Sequence, residues 1–145
     1  MKNIIKNWLP VLLWAAIIFF FSANPDPYRF LPASWRSAVP LPTLTNSSAA
    51  ELLGQLMHLL EYGVLAFLVY RALHRKNPLP KIVLVVLILS MSYALSDEIH
   101  QLFVPGRTFQ VIDLFIDLLG SLLGVYLYQR LKIEPQRRKE RRKGF

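Results

Sequence analysis

The sequence predicts an all-α membrane protein, in which four transmembrane helices form a bundle beneath a proline-rich extracytoplasmic cap loop. The 145-residue chain is 54% hydrophobic and only 18% charged, whereas about a quarter of the residues in a soluble domain are charged. It also contains four apolar segments that approach the ~20 residues needed to cross ~30 Å of hydrocarbon. The length suits one domain, which we assign to residues 1–131, followed by a basic cytoplasmic tail at residues 132–145.

The predicted spans are residues 7–23, 52–73, 79–104 and 109–131. The first follows Lys2 and Lys6, so a cleaved signal peptide is its rival interpretation. Residues 21–23 (Phe-Ser-Ala) fit the small-x-small cleavage rule poorly, however. The second span is preceded by Ser48 and Glu51, which have the spacing of a capping box. We therefore expect four membrane helices.

The segment between the first two spans, residues 24–50, is rich in proline and carries Tyr28, Phe30 and Trp35. It is too long for a simple connector, and its aromatic residues suit the membrane–water interface. We predict that it forms an irregular cap over the outer ends of the helices.

Basic residues cluster at three places that an up-and-down bundle brings to one side of the membrane. These are Lys2 with Lys6, the stretch 71–81, and the tail 132–145. By the positive-inside rule, both termini are then cytoplasmic. This distribution of the net charge of +8 argues against a nucleic-acid surface, and the tail is a candidate for binding anionic lipids. The chain has no cysteine, which excludes disulfides and thiolate metal sites.

Ionisable residues interrupt the apolar spans at a common depth. Counted at 1.5 Å per residue from the cytoplasmic basic clusters, Glu61 lies ~15 Å deep and His58 and Asp117 lie ~20 Å deep. Asp97 and Asp113 lie at ~24–26 Å. The other members of the layer, at ~24–30 Å, are Ser22, Glu98, His100 and Gln101. Residues from all four spans therefore converge in the outer half of the bilayer.

The polar residues of each span also share one helical face. The stripes are Gly54, His58, Glu61 and Leu65; Ser90, Ala94, Asp97 and Gln101; and Asp113, Asp117, Gly120 and Gly124. The last pair has the GxxxG spacing that lets another helix approach closely. We expect these faces to point into the bundle and to form a polar pocket that opens outward.

Five acids in this layer meet one arginine, Arg107, and two histidines. A carboxylate in hydrocarbon costs at least ~2.5–3.5 kcal/mol on insertion scales. Either some acids are protonated, or the pocket binds a cation, or water enters from outside. A lone His58 would be an ordinary hydrogen-bonded core histidine, but each of the three alternatives describes a site more readily than a scaffold.

Three stretches of the chain, FFSANP, HLLEYGVLAF and SYALSDEIHQLFVPGRTFQVIDLFIDLLGSLLG, resemble the VanZ-like family of bacterial integral membrane proteins. The resemblance implies a multi-pass protein of the bacterial cell membrane. The family's named member is associated with low-level resistance to the glycopeptide teicoplanin, but no biochemical mechanism is implied. The family's recurrent polar positions correspond here to His58, Glu61, Tyr62, Asp97, Glu98, His100, Gln101, Arg107 and Asp113. Asp117 stands where the family pattern usually has asparagine, which adds a negative charge.

In a first hypothesis, the protein is a hydrolase or transferase acting on an envelope lipid or lipid-linked precursor. The catalytic candidates are His58, Glu61, Asp97, Glu98, His100 and Asp113. The substrate-binding candidates are Ser22, Tyr62, Gln101, Arg107 and Asp117. Neighbouring carboxylates and imidazoles serve as general acids and bases, and a guanidinium binds phosphate or carboxylate bidentately. A divalent metal ion is a candidate cofactor, with His58, Glu61, Asp97 and His100 as candidate ligands.

In a second hypothesis, the pocket binds a lipid head group or an amphipathic drug without catalysis. Proton-coupled transport is a third class. It requires polar groups in the cytoplasmic half of the membrane, and below Glu61 the sequence has almost none. The chain also lacks the paired repeats of transporter folds. A dimeric transporter would need the same polar groups, and the oligomeric state is left open.

Overall fold

The structure is a computed structural model that describes residues 2–25, 48–74, 81–133 and 135. The described chain forms four α-helices, and the last runs directly into a short π-helical turn. The elements are α1 (Lys2–Ser22), α2 (Ser48–Leu73), α3 (Lys81–Gln101), α4 (Val111–Tyr128) and the π-turn Gln129–Ile133.

All four helices are long and apolar enough to cross a membrane, and the described part of the chain contains no strand. The predicted fold class is therefore confirmed in its four spans, and the protein is a multi-pass membrane protein. All four helices begin and end within five residues of the predicted span boundaries, and α2 starts at the Ser48 capping signal. The predicted cap loop and basic tail fall mostly outside the described residues, at 26–47 and 136–145.

Large apolar side chains cover the outside of the bundle on every helix. Examples that are about half exposed or more are Leu12, Phe20, Leu60, Leu84 and Leu119. Lipid tails are as apolar as leucine, so these side chains lose nothing by facing them, and packing between helices needs another source of stability.

Close packing between helices is clearest for α2 and α4. These two helices make the most extensive contact in the described chain, although α3 separates them in the sequence. Gly120 and Gly124 face the α2 backbone. A Cβ atom at Gly120 would collide with the Leu59 carbonyl oxygen, and one at Gly124 with the Gly63 carbonyl oxygen. The GxxxG spacing thus lets the two backbones touch, as it does in other membrane helix pairs. This contact sets the height of α2 relative to α4.

Two hydrogen bonds tie α1 to its neighbours. The indole Nε1 of Trp14 donates to the backbone oxygen of Glu61 at 2.9 Å, and the Tyr93 hydroxyl donates to the backbone oxygen of Ala15 at 2.6 Å. Both bonds cross between helices in the apolar interior, where few alternative partners are available. They fix the C-terminal half of α1 against α2 and α3.

The turn between α3 and α4 is compact. The backbone N–H of Arg107 donates to the Val104 oxygen at 3.1 Å, and Gly106 has a φ of +80°, a conformation that glycine adopts without a steric cost. The backbone N–H of Gln110 then donates to Oε2 of Glu98 at 2.8 Å. The turn is therefore anchored to a buried carboxylate, and it presents Arg107 at the end of the bundle.

Candidate functional site

Buried polar side chains gather where α1 and α3 end and α2 and α4 begin. Seven of them are at most 7% exposed: Ser22, His58, Asp97, Glu98, Gln101, Asp113 and Asp117. They come from all four helices, as the count of depth along the sequence predicts. The up-and-down order of the helices explains this, because two helices reach this level at their C-terminal ends and two near their N-terminal ends.

His58 is the centre of the cluster. Its Nδ1 lies 3.0 Å from Oδ1 of Asp117, and its Nε2 lies 3.9 Å from Oδ2 of Asp113. The ring also stacks on Tyr62 with a centroid distance of 6.3 Å. Since a carboxylate accepts hydrogen bonds, an ionised Asp117 accepts the proton on Nδ1, and a neutral His58 ring then has its lone pair on Nε2. The contact with α4 thus favours one tautomer of the neutral ring.

Three groups in this cluster lie close enough to share a metal ion. One ligand atom each of His58, Glu98 and Asp113 lies within 4.8 Å of the other two, and all three residues are buried. This set shares only His58 with the metal candidates predicted from the sequence. The difference has a geometric cause, since adjacent residues on a helix point about 100° apart. Glu98 reaches the residue that precedes α4, whereas Asp97 lies outside this set.

A cavity of about 310 Å³ lies on the other side of His58. Its lining residues come from α1, α2, α3 and the following turn: Phe21, Ser22, Leu53, Gly54, Met57, His58, Glu61, Asp97, Gln101 and Arg107. Nε2 of Gln101 lies 3.4 Å from Oδ2 of Asp97, a long hydrogen bond on the cavity wall. The cavity thus combines two carboxylates, an imidazole and a guanidinium with an apolar wall.

The structure does not bring every predicted site residue to this cavity. His100 packs on Phe19 of α1 with a centroid distance of 4.7 Å and is not among the lining residues. Tyr62 is fully buried, with its ring between His58 and Tyr93. Asp113, Asp117 and Glu98 lie on the α4 side of His58, so the predicted set divides into a cavity group and an α4 group.

Two buried hydroxyl groups were not singled out from the sequence as site candidates. Ser90 and Ser121 are fully buried, and within the described residues neither hydroxyl has a hydrogen-bond partner. Further along, Tyr70 stacks on His74, and both rings contact Tyr128 at centroid distances of 4.9 and 5.6 Å. The expectation of almost no polar groups below Glu61 is therefore too restrictive. That expectation considered charged residues and therefore left out serine and tyrosine, which carry no charge.

The comparisons with known proteins identify a family. The family described as VanZ/LLP1 matches residues 7–132 of the 145, a range that includes all four spans and every cavity and cluster residue. No curated protein and no solved structure matches the chain. The match confirms the resemblance that the three sequence motifs indicate, and the chain belongs to the VanZ/LLP1 family.

Proposed function

We propose that the protein is an enzyme, a hydrolase or transferase that acts on the head group of an envelope lipid or lipid-linked precursor. The observation that carries this proposal is the cavity itself, in which Glu61, Asp97, His58 and Arg107 line one space inside a membrane bundle. Ionisable residues within membrane spans are expensive and are most often functional. A lipid substrate also reaches such a cavity without leaving the bilayer.

Arg107 is the proposed anchor for the substrate. It lies in the turn after α3 and lines the cavity, and within the described chain its Nε has no hydrogen-bond partner. A guanidinium binds a phosphate or carboxylate through two parallel hydrogen bonds. An anionic head group bound by Arg107 lies beside the cavity carboxylates. We therefore assign to Arg107 the binding of the phosphate or carboxylate of the substrate.

Asp97 and Glu61 are the proposed general base and acid. They line the same cavity from α3 and α2, and proton transfer to or from a reacting group requires such side chains within hydrogen-bond reach of it. Two carboxylates beside one anionic substrate repel it, so the arginine, and any cation bound nearby, is needed to make substrate binding favourable.

The size and polarity of the cavity support a head group as its occupant. At about 310 Å³ it is at the lower end of the range of small-molecule sites, about 300–1,000 Å³. Leu53, Met57 and Phe21 form its apolar part, and Met57 is exposed on the outside of the bundle. We propose that the acyl or prenyl chain passes this wall and remains in the bilayer.

The positive-inside rule supports an outward-facing cavity in a bacterial plasma membrane with both termini in the cytoplasm. Changing an envelope lipid or precursor at that surface would also alter how a lipophilic glycopeptide binds there. The proposal therefore includes a contribution to teicoplanin resistance, which is measured as the inhibitory concentration in cells with and without the protein.

Comparative lipidomics tests the enzymatic proposal. Cells expressing the wild type, His58→Ala or Asp97→Asn at matched levels are extracted and compared by mass spectrometry. Ser96→Ala is the matched control, because Ser96 is exposed beside Asp97 and its hydroxyl donates to the Tyr93 oxygen of its own helix. We expect one lipid species to have the same abundance in the wild-type and Ser96→Ala strains. Its abundance should differ from that value in the His58→Ala and Asp97→Asn strains.

Identical extracts from all four strains would overturn the enzymatic proposal. The same strains then test the non-catalytic binder, because the purified wild type would retain a lipid that the Asp97→Asn protein does not. Proton-coupled transport predicts neither result. It predicts instead a pH change inside proteoliposomes when substrate is added.

A further inference from the structure

On its α4 side, His58 faces Asp113 across a gap that is longer than a hydrogen bond. His58 Nε2 and Asp113 Oδ2 lie 3.9 Å apart, too far for a hydrogen bond. Two ligands of one metal ion, each about 2.0–2.2 Å from it, lie up to about 4 Å apart. The separation therefore lies within the range that a single ion between the two groups spans.

Glu98 supplies a second, independent observation. Its Oε2 accepts the N–H of Gln110, but Oε1 is buried and has no hydrogen-bond partner among the described residues. The residue as a whole is fully buried. A buried carboxylate oxygen without a partner destabilises the fold because it has lost its hydration, and a bound metal ion removes that penalty.

Asp117 completes the arrangement. Its Oδ1 lies 3.0 Å from Nδ1 of His58, so an ionised Asp117 accepts the Nδ1 proton, and a neutral ring then has its lone pair on Nε2, away from Asp117. Histidine ligands of metals almost always donate their other ring N–H in this way, and the acceptor is often a carboxylate. Asp117 is thus a positioning residue, and it stands where the family pattern usually has asparagine.

The charge of the cluster points to a cation. Among the described residues, Glu98, Asp113 and Asp117 lie around the His58 imidazole, and all four side chains are buried. Even a protonated imidazole would neutralise only one of the three carboxylates. A divalent ion bound by a neutral imidazole neutralises two, and the Nδ1–H of His58 still stabilises the third.

We infer that His58, Glu98 and Asp113 bind one divalent transition-metal ion, oriented by Asp117, at the wall of the cavity. One imidazole and two carboxylates suit Mn²⁺ or Zn²⁺, whereas Mg²⁺ and Ca²⁺ prefer oxygen ligands alone. The ligand atoms need to contract by about 1 Å at most to reach normal coordination distances. Three protein ligands leave a position for water or substrate, as in catalytic metal sites.

This inference deepens the proposed function, since His58 lines the substrate cavity, but it is tested without any lipid. The full-length protein is purified in detergent, stripped with a chelator and titrated with MnCl₂, ZnCl₂ or MgCl₂ by calorimetry. Metal content before stripping is measured by mass spectrometry. We expect about one Mn²⁺ or Zn²⁺ per wild-type chain and no saturable binding of Mg²⁺.

The variants separate this set of ligands from the set predicted from the sequence. Glu98→Gln keeps an oxygen that can accept the Gln110 N–H, and Asp113→Asn keeps the size of the side chain, so both are expected to fold. Each should weaken metal binding at least about 100-fold, and Asp117→Asn should weaken it about 10–100-fold. Glu61→Gln, which removes a carboxylate from the cavity only, should retain the metal.

The outcomes distinguish the two proposals. Wild-type protein without bound metal, or Glu98→Gln protein that binds as tightly as the wild type, overturns the metal site. Loss of metal in Glu61→Gln with retention in Glu98→Gln overturns it in favour of the ligands on the cavity side. If the metal binds as expected but the lipid extracts are unchanged, the enzymatic proposal fails and the metal site stands.

Discussion

Replacing Gly120 by alanine tests whether the α2–α4 backbone contact holds the site together. The added Cβ atom would lie 3.1 Å from the Leu59 carbonyl carbon and 3.2 Å from the Gly63 nitrogen, and it would collide with the Leu59 oxygen. Ordinary contacts of a Cβ atom begin at 3.4 Å. Because these neighbours are backbone atoms of a helix, no side chain can rotate away. The helices must separate locally, by about 0.5–1 Å.

Such a separation acts directly on the site, since Leu59 adjoins His58. The His58–Asp117 bond of 3.0 Å would lengthen beyond the hydrogen-bond limit of about 3.5 Å. Overpacking costs about 1–3 kcal/mol, and an interhelical hydrogen bond in a membrane averages about 0.6 kcal/mol. Together, these two effects predict that Gly120→Ala lowers the free energy of unfolding by about 1.5–3.5 kcal/mol, before the higher helix propensity of alanine is included.

The matched control is Gly54→Ala, where a Cβ atom has no neighbour within 4 Å in the described structure. Both variants gain the same helix propensity, about 1 kcal/mol, so the difference between them isolates the collision. Thermal unfolding in detergent, followed by the fluorescence of the three tryptophans, measures it. We expect Gly120→Ala to unfold at least about 3 °C below Gly54→Ala, on the scale for soluble domains. Equal unfolding midpoints for the two variants would refute the close approach of the α2 and α4 backbones at Gly120.

Three further predictions concern the substrate anchor, the α1 contact and the orientation. Arg107→Lys keeps the charge but loses bidentate binding, so KM for the lipid substrate should rise about 10-fold with kcat nearly unchanged; an unchanged KM would remove Arg107 from the anchor role. Tyr93→Phe deletes the 2.6 Å bond to the Ala15 oxygen and should lower stability by about 0.6 kcal/mol, and by no more than about 1.7 kcal/mol, in the same thermal assay. Because the chain has no cysteine, an impermeant maleimide reports topology: Phe103→Cys, 80% exposed in the turn, should label in intact cells, and Phe145→Cys only after permeabilisation. The reverse pattern would show that the cavity opens to the cytoplasm.

The spans and the common level of their polar residues were predictable from the sequence, because both follow from counting. A helix rises 1.5 Å per residue whatever it packs against, so His58 and Asp117 could be placed at one depth although they are 59 positions apart. The spacing of Gly120 and Gly124 likewise indicated a close helix contact before any partner was known.

The rotation of each helix about its axis was less predictable, because it depends on the packing of all four. Asp97 and His100 lie three residues apart, yet Asp97 lines the cavity and His100 packs on Phe19. The role of Glu98 as the acceptor for Gln110 depends on the conformation of the intervening turn, which no periodicity describes. Sequence reasoning could name the members of the layer but could not divide them between the cavity and α4.

The pairing of α2 with α4 has a consequence for synthesis on the ribosome. Asp117 is added 59 residues after His58, which takes about 3–12 s at elongation rates of about 5–20 residues per second. During this interval α2 carries a polar imidazole, and the glycine-rich surface it needs does not yet exist. The site is therefore expected to assemble only after α4 has been inserted beside α2, and not while α2 itself is being inserted.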